Sequence, residues 1–199
     1  MLFLDFSPRP PSTPVLVHAP VEVRTASFSD YDEWTDLRRE SRAHLTAWEP
    51  AWRESELTRA AYNTRLRQQW RDIKRGVSLP MLVSRQHDGV LVGGVTLSNI
   101  RYGAARAAVV GYWIGAPHVR KGYARAALQA VLAHAFGTLS LNRVEAACQP
   151  GNAASTALLE SSGFSREGLA RDYLKINGAW RDHVLYAITA GDFAPRKQG

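Results

Sequence analysis

A chain of 199 residues can bury a full core as a single domain without disulfides or a structural metal. Its one cysteine, Cys148, excludes an internal disulfide, and no Cys/His cluster has zinc spacing, so a reducing, cytoplasmic setting without metal is expected. The 25 Lys plus Arg against 18 Asp plus Glu give a net charge of +7, which favours anionic partners such as phosphates or nucleic acid, but the positions are scattered and form no polybasic block.

From the N-terminus, Pro8, Pro10, Pro11, Pro14 and Pro20 deny backbone donors, so residues 1–20 are expected as an extended or disordered arm. The stretch lacks the basic start and small-residue cleavage site of a signal peptide. No apolar run approaches the roughly 20 residues that cross a bilayer, so a soluble protein with no membrane contact is expected. One folded domain is expected over residues 21–192, followed by a tail at 193–199.

Val21 to Arg24 alternates as a short strand. Ser29 or Asp30, with Asp32 and Glu33, signals a helix start before Tyr31, Trp34, Leu37 and Leu45. Beyond two tryptophans around Pro50, Ser55 is placed to cap a second helix that carries Tyr62, Leu66, Trp70 and Ile73 on one face. Leu79 to Ser84 and Val90 to Ser98 read as antiparallel strands joined by His87-Asp88-Gly89. Ala107 to Ile114 is a third apolar run, and Gly111 inside it suggests a bulge or a close backbone approach. A helix with Ala124, Ala127, Leu128, Val131, Leu132 and Ala135 at helical spacing follows, then a strand from Arg143 to Cys148. Asn152 is placed to cap a further helix that Gly163 ends, and Leu169 to Ile176 and Trp180 to Ile188 form a hairpin around Asn177-Gly178.

The chemistry concentrates at Val119-Arg120-Lys121-Gly122-Tyr123-Ala124. The first N–H groups of a helix starting near Gly122 lack intrahelical partners and point together at whatever precedes them. The helix dipole adds partial positive charge, the glycine permits close approach, and Arg120, Lys121 and Arg125 supply full charges. A diphosphate fits such a place. The motif alone is weak; the glycine-interrupted strand before it and the helix, strand, Asn-led helix and hairpin after it are what select a family.

In that order, and in Gly111-Tyr112-Trp113-Ile114-Gly115, Arg120-Lys121-Gly122-Tyr123-Ala124, Asn152-Ala153-Ala154-Ser155 and Gly163-Phe164, the chain resembles the GNAT superfamily of N-acetyltransferases. His44 to Pro50, Asp172-Tyr173-Leu174 and Gly178 to Asp182 resemble the ribosomal-protein-alanine type within it, the RimJ/RimL group. The likeness covers about Val21 to Asp192. It implies an α/β (α+β) fold: a mixed, mostly antiparallel twisted sheet flanked by helices, with splayed middle strands. It also implies acetyl-CoA as donor, with pantetheine against Trp113 and Ile114, the diphosphate on the stretch from Val119 through Arg120, Lys121, Gly122, Tyr123 and Ala124 to Arg125, and Asn152 beside the pantetheine. Val119 departs from the Gln or Arg usual there, a modest loss because backbone N–H groups make the main contacts.

Amine attack on a thioester needs a neutral amine, a polarised carbonyl and a group that steadies the departing thiolate. The usual family tyrosine would fall at Leu159, which has no proton to give, so Ser155 is assigned that role; its alternative is a local cap of the helix start. No carboxylate stands at Val109 or Val110, where related enzymes often have one. Glu145 is the candidate base, acting through water, with a paired structural carboxylate as its alternative. Trp48 and Glu49, with Tyr173 and Trp180 on the hairpin, are expected to frame the acceptor end, against packing roles for the tryptophans and plain surface charge for Glu49.

An α-amine titrates at roughly 7.7 to 8.0 and a lysine near about 10.4, so a missing base favours a protein N-terminus, alanine by the resemblance. Acetylation of a small amine or antibiotic, a non-catalytic acyl-CoA sensor, and a nucleic-acid binder prompted by the charge remain as alternatives. Contact with the ribosome or RNA would be incidental, and the oligomeric state is not legible.

Overall fold

The computed structural model describes residues 11–193; the outer half of the expected arm, residues 1–10, and the tail residues 194–199 lie outside the described residues. Eight strands form one sheet in the order β1-β2-β3-β4-β5-β6-β8-β7. They are β1 (Leu16–His18), β2 (Val21–Arg24), β3 (Leu79–Arg85), β4 (Leu91–Arg101), β5 (Ala107–Ile114), β6 (Arg143–Cys148), β7 (Ser165–Ile176) and β8 (Ala179–Thr189). Every neighbouring pair is antiparallel except β5 and β6, which run parallel. That parallel pair requires a crossover, and α4 (Tyr123–Phe136) supplies it. Leu16–His18, expected within the arm, instead pairs with β2 as an edge strand.

The sheet is covered on both faces because its strands alternate between two apolar clusters. On β3, Leu79, Met81 and Val83 join the main core with Leu128, Val131 and Leu132 of α4, whereas Leu82 turns to the opposite side. There it meets Trp34 and Leu37 of α1 (Tyr31–Glu40) and Tyr62, Leu66 and Trp70 of α3 (Arg59–Lys74). β3 is buried from Leu79 to Ser84 and reads as a near-continuous apolar run for this reason.

Local chemistry sets most boundaries. The expected first helix, which was to include Leu45, breaks at the fully buried Ser41 into α1 and α2 (Arg42–Thr46). The Ser41 hydroxyl accepts from the Ala116 N–H at 2.8 Å, tying this break to the segment after β5. The α3 cap is Thr58, not Ser55: the Thr58 side chain accepts from the Ala61 N–H, and the Ser55 carbonyl is taken by the Thr58 N–H in the turn before it. At the end of α5 (Ala153–Ser161), Gly163 takes φ +92°, its N–H donates to the Glu160 carbonyl, and the Phe164 N–H donates to the Leu159 carbonyl. This paired arrangement closes a helix in the left-handed conformation that glycine favours.

Asn177 and Gly178 both take positive φ in the β7–β8 turn, as a two-residue hairpin of matching twist demands. The strands reach beyond the expected limits, and β7 carries two register shifts, at Arg166/Gly168 and Ala170/Leu174. A short α6 (Ala190–Phe193) ends the described chain, with Phe193, expected in the tail, against Phe136 at 5.3 Å. No helix among the described residues is long and apolar enough to cross a membrane.

Candidate functional site

β5 and β6 pair over three residues, Ala107 to Val109 against Arg143 to Glu145, and then part. β5 stays bonded to β4 as far as Ile114, and β6 stays bonded to β8 as far as Cys148. The two strands thereby open a cleft of about 1110 Å³ between them. The splay is as expected, but Gly111 does not cause it by a bulge: Gly111 pairs regularly with Thr96, and the register shift on β4 falls between Ser98 and Arg101, where Asn99 takes φ +49°. A Cβ on Gly111 would meet nothing within 4 Å, so this residue faces open space. The tight approach is at Gly93, where a Cβ would stand 2.2 Å from the Trp113 carbonyl oxygen.

Gly122 precedes α4 in the left-handed conformation at φ +81°, and it has no side chain with which to cap the helix. The first amide to close a helical turn there is that of Ala126, bonded to the Gly122 carbonyl. The N–H groups of Tyr123, Ala124 and Arg125 precede that first turn, at the cleft wall that Val119, Arg120 and Gly122 continue. Uncapped amides, a positive dipole end and arginines together fit a diphosphate. Lys121 stands apart from this wall: its Nζ donates to the Pro117 carbonyl at 2.9 Å, and Arg125 reaches the Ser161 carbonyl at 3.3 Å.

Asn152 caps α5 as expected, its Oδ1 accepting from the Ser155 N–H at 3.0 Å. The Ser155 hydroxyl is thus not the cap. It lies 2.8 Å from the Tyr112 hydroxyl across the gap, one group on α5 and the other on β5. Burial pushes the Tyr112 phenol up to about 12, the bond from Ser155 opposing the shift only in part, so Tyr112 stays protonated at neutral pH. Tyr112 lies in the Gly111–Gly115 stretch, but its partner is 43 residues away, and nothing local in the sequence connects them.

The acceptor candidates separate. Trp48 and Glu49 line the cleft together with Trp113 and Ile114. Tyr173 and Trp180 do not: both are exposed on the hairpin, Trp180 at 60%. The residue that the hairpin does send to the cleft is His183, next to Asp182, and no local sequence signal marks it as a cleft residue. Glu145 also fails to reach the cleft. It is held at 2.9 Å by Arg101 and at 3.0 Å by Arg143, so the structural reading of this carboxylate applies. Replacing Glu145 by Gln is expected to leave kcat within about twofold, because surface pairs of this kind contribute little; a steady-state assay with saturating substrates checks it.

Residues 21–165 match the family model described as the acetyltransferase (GNAT) domain. The ribosomal protein uS5-alanine N-acetyltransferase of Escherichia coli is 34% identical over 168 residues, which span 83% of this chain and 87% of that protein. Among solved structures, Mycobacterium smegmatis RimJ in complex with a CoA-disulfide superposes with a TM-score of 0.84 at 34% identity, covering 88% of this chain and 84% of that one. A ribosomal-protein alanine acetyltransferase from Vibrio fischeri gives 0.83 at 30% identity over 92% of this chain and all of the other. With an uncapped helix tip beside a split sheet in the same chain, the conclusion is plain: the protein belongs to the acetyltransferase (GNAT) family and is an N-acetyltransferase that draws its acetyl group from acetyl-coenzyme A.

Proposed function

We propose that the acceptor is the α-amine of a protein N-terminus beginning with alanine, a cytoplasmic ribosomal protein first among the candidates. The observation that carries this reading is the poverty of the acceptor side in carboxylates. Glu49 is the one carboxylate among the described residues lining the cleft, and Arg38 already holds it by two bonds, at 2.9 and 2.7 Å. A lysine ammonium, which must shed its proton near about pH 10.4, would find no spare anion to greet it. An α-amine, titrating at roughly 7.7 to 8.0, is already partly neutral. The alanine specificity of the E. coli relative and its 34% identity support the same choice.

Within this reading, the α4 tip holds the diphosphate through backbone N–H groups, and Trp113 and Ile114 flank the pantetheine arm in the gap. Bound there, acetyl-CoA supplies an activated thioester carbonyl. Ser155 Oγ gives a proton to the departing sulfur, and Tyr112 restores it through the 2.8 Å contact. Trp48 and Glu49 stand at the acceptor mouth, Glu49 as the fastening of that wall.

The test offers an alanine-starting ribosomal peptide, the same peptide with its N-terminus blocked and an internal lysine present, and a panel of small amines. Mass spectrometry should find the acetyl group on the α-amine, with kcat/KM at least about 100-fold above the blocked peptide. Dominant lysine or small-amine modification would overturn the assignment.

A further inference from the structure

Loss of Glu145 from the cleft leaves the attacking nitrogen without a partner for its proton. The imidazoles and carboxylate on the cleft wall able to accept one are His44, Glu49, His118 and His183; the Cys148 thiol also lines it but is buried, 3.7 Å from the Thr156 hydroxyl. Glu49 is occupied twice over, by Arg38 and by the Trp52 indole N–H at 2.8 Å. His118 lies at the phosphate end, its ring beside Tyr123. Burial lowers its pKa, with Lys121 and Arg85 adding to the effect. His44 is exposed on α2, where no hydrogen bond sets its tautomer.

His183 differs in each respect. It is 3% exposed yet reaches the cleft wall, and its Nδ1 lies 3.0 Å from the Arg181 carbonyl oxygen. A carbonyl only accepts, so this contact assigns the proton to Nδ1 and leaves Nε2 as a lone-pair acceptor. Strand register places the residue. Cys148 at the end of β6 pairs with Val184, so His183 lies level with the residue just past β6, at the start of the turn that leads to Asn152 and Ser155. Neighbouring strands are about 4.8 Å apart, which brings the imidazole beside the open end of the split sheet, where the thioester must lie in the reading above.

We infer that His183 is the general base of the transfer, a deduction that rests on the proposed N-acetylation. The amine lone pair forms the C–N bond to the acetyl carbon as the C–S bond breaks. Nε2 of His183 takes one proton from the nitrogen, and Ser155 Oγ gives one to the sulfur. Afterwards the imidazolium returns its proton to solvent, and Ser155 regains one through Tyr112. The products are the N-acetyl amide and the free thiol of coenzyme A, and no other reactant is required.

The ionisable groups around His183 are Tyr173 on β7, at 5.5 Å between ring centres, Cys148 on β6, Arg181 and Asp182 on its own strand, and His44 and the paired Glu49 on the α2 side of the cleft. Asp182 is turned to the Asp172 N–H at 2.9 Å, which leaves it less suited to act as a rival base.

The experiment measures kcat/KM against pH for the full chain, wild type, His183→Ala and His183→Gln, with calorimetric affinity for coenzyme A as the check on folding. In the wild type two groups must be deprotonated, the amine and the base, so log kcat/KM should rise with a limiting slope of about two at acidic pH. Either variant should bind coenzyme A as the wild type does, lose about 100-fold in kcat/KM at neutral pH, and show a slope of about one, set by the amine alone. A slope that stays at the wild-type value, or activity within about threefold of it, would overturn the inference. Should His183→Ala fail to bind coenzyme A, His183→Gln decides. If the wild type prefers a small amine to the peptide, the acceptor assignment fails alone, and the same slope comparison is made with that amine.

Discussion

Ser155→Ala should lower the turnover number by about 100-fold at saturating concentrations of both substrates, with the affinity for coenzyme A nearly unchanged. The serine stands with its amide capped by Asn152 and its hydroxyl committed to Tyr112, so the substitution removes a proton donor and leaves the helix start intact. A role confined to capping predicts the reverse: a loss of stability and little change in turnover. Tyr112→Phe should cost less, about 10-fold, because Ser155 can still exchange its proton with water. The double variant should be no worse than Ser155→Ala, since residues acting in series are not additive. The pH profile adds an independent check. Burial raises the Tyr112 phenol, which favours its neutral form, so deprotonation begins only as pH approaches about 12. Tyr112→Phe should therefore leave the profile below about pH 10 unchanged in shape while lowering it throughout. Equal turnover in Ser155→Ala and wild type would remove the serine from the chemistry, and a purely additive double variant would break the relay.

What was legible in the sequence is what depends on a few adjacent residues. Asn177-Gly178 dictates its own turn, Gly122 marks the start of α4, and Asn152 dictates its own cap, because each acts on backbone groups within four positions of itself. The uncapped start of α4 at the cleft wall and the split between β5 and β6 followed, the latter because the family pattern spans both strands. Long-range choices escaped. Tyr112 and Ser155 meet because β5 and α5 flank the same gap, and His183 enters the cleft because β8 pairs with β6, facts of sheet order that no local spacing carries. Tyr173 and Trp180 were misplaced for the same reason. Tyr173 on β7 and Trp180 on β8 lie on the part of the hairpin beyond the pairing of β8 with β6, which begins at Val184, and both stay exposed, Tyr173 with its ring against His183. Ser55 and Thr58 were confused because either can cap, and only the turn closed by the Thr58 N–H on the Ser55 carbonyl decides between them. Gly111 suggests a bulge or a close backbone approach in the sequence, but it pairs regularly with Thr96 and faces open space at the gap.

Glu49→Ala is expected to unsettle the fold more than the acceptor site. Arg38 is 7% exposed, and its guanidinium stands 4.2 Å from the Trp52 ring centre and 4.9 Å from that of Trp113. Glu49 neutralises it with two bonds and takes a third from Trp52, so one carboxylate fastens α1, the segment after α2 and the end of β5. Removing it strands a buried cation whose Nε already has no partner. Breaking a buried pair from one side costs on the order of 3 kcal/mol, somewhat less here because the Glu49 side chain is 24% exposed. For a domain of this size that corresponds to a drop of roughly 5 to 10 °C in Tm. If Glu49 instead served chiefly to bind the acceptor amine, KM for the acceptor would rise while Tm held. The distinguishing measurement is the pair Arg38→Met with Glu49→Leu, which removes both charges and keeps apolar volume between the tryptophans. Replacing both partners of a buried pair is often neutral or stabilising, so this double variant should recover most of the lost Tm. A double variant as unstable as Glu49→Ala would show that the hydrogen bonds, and not the stranded charge, hold this wall of the cleft.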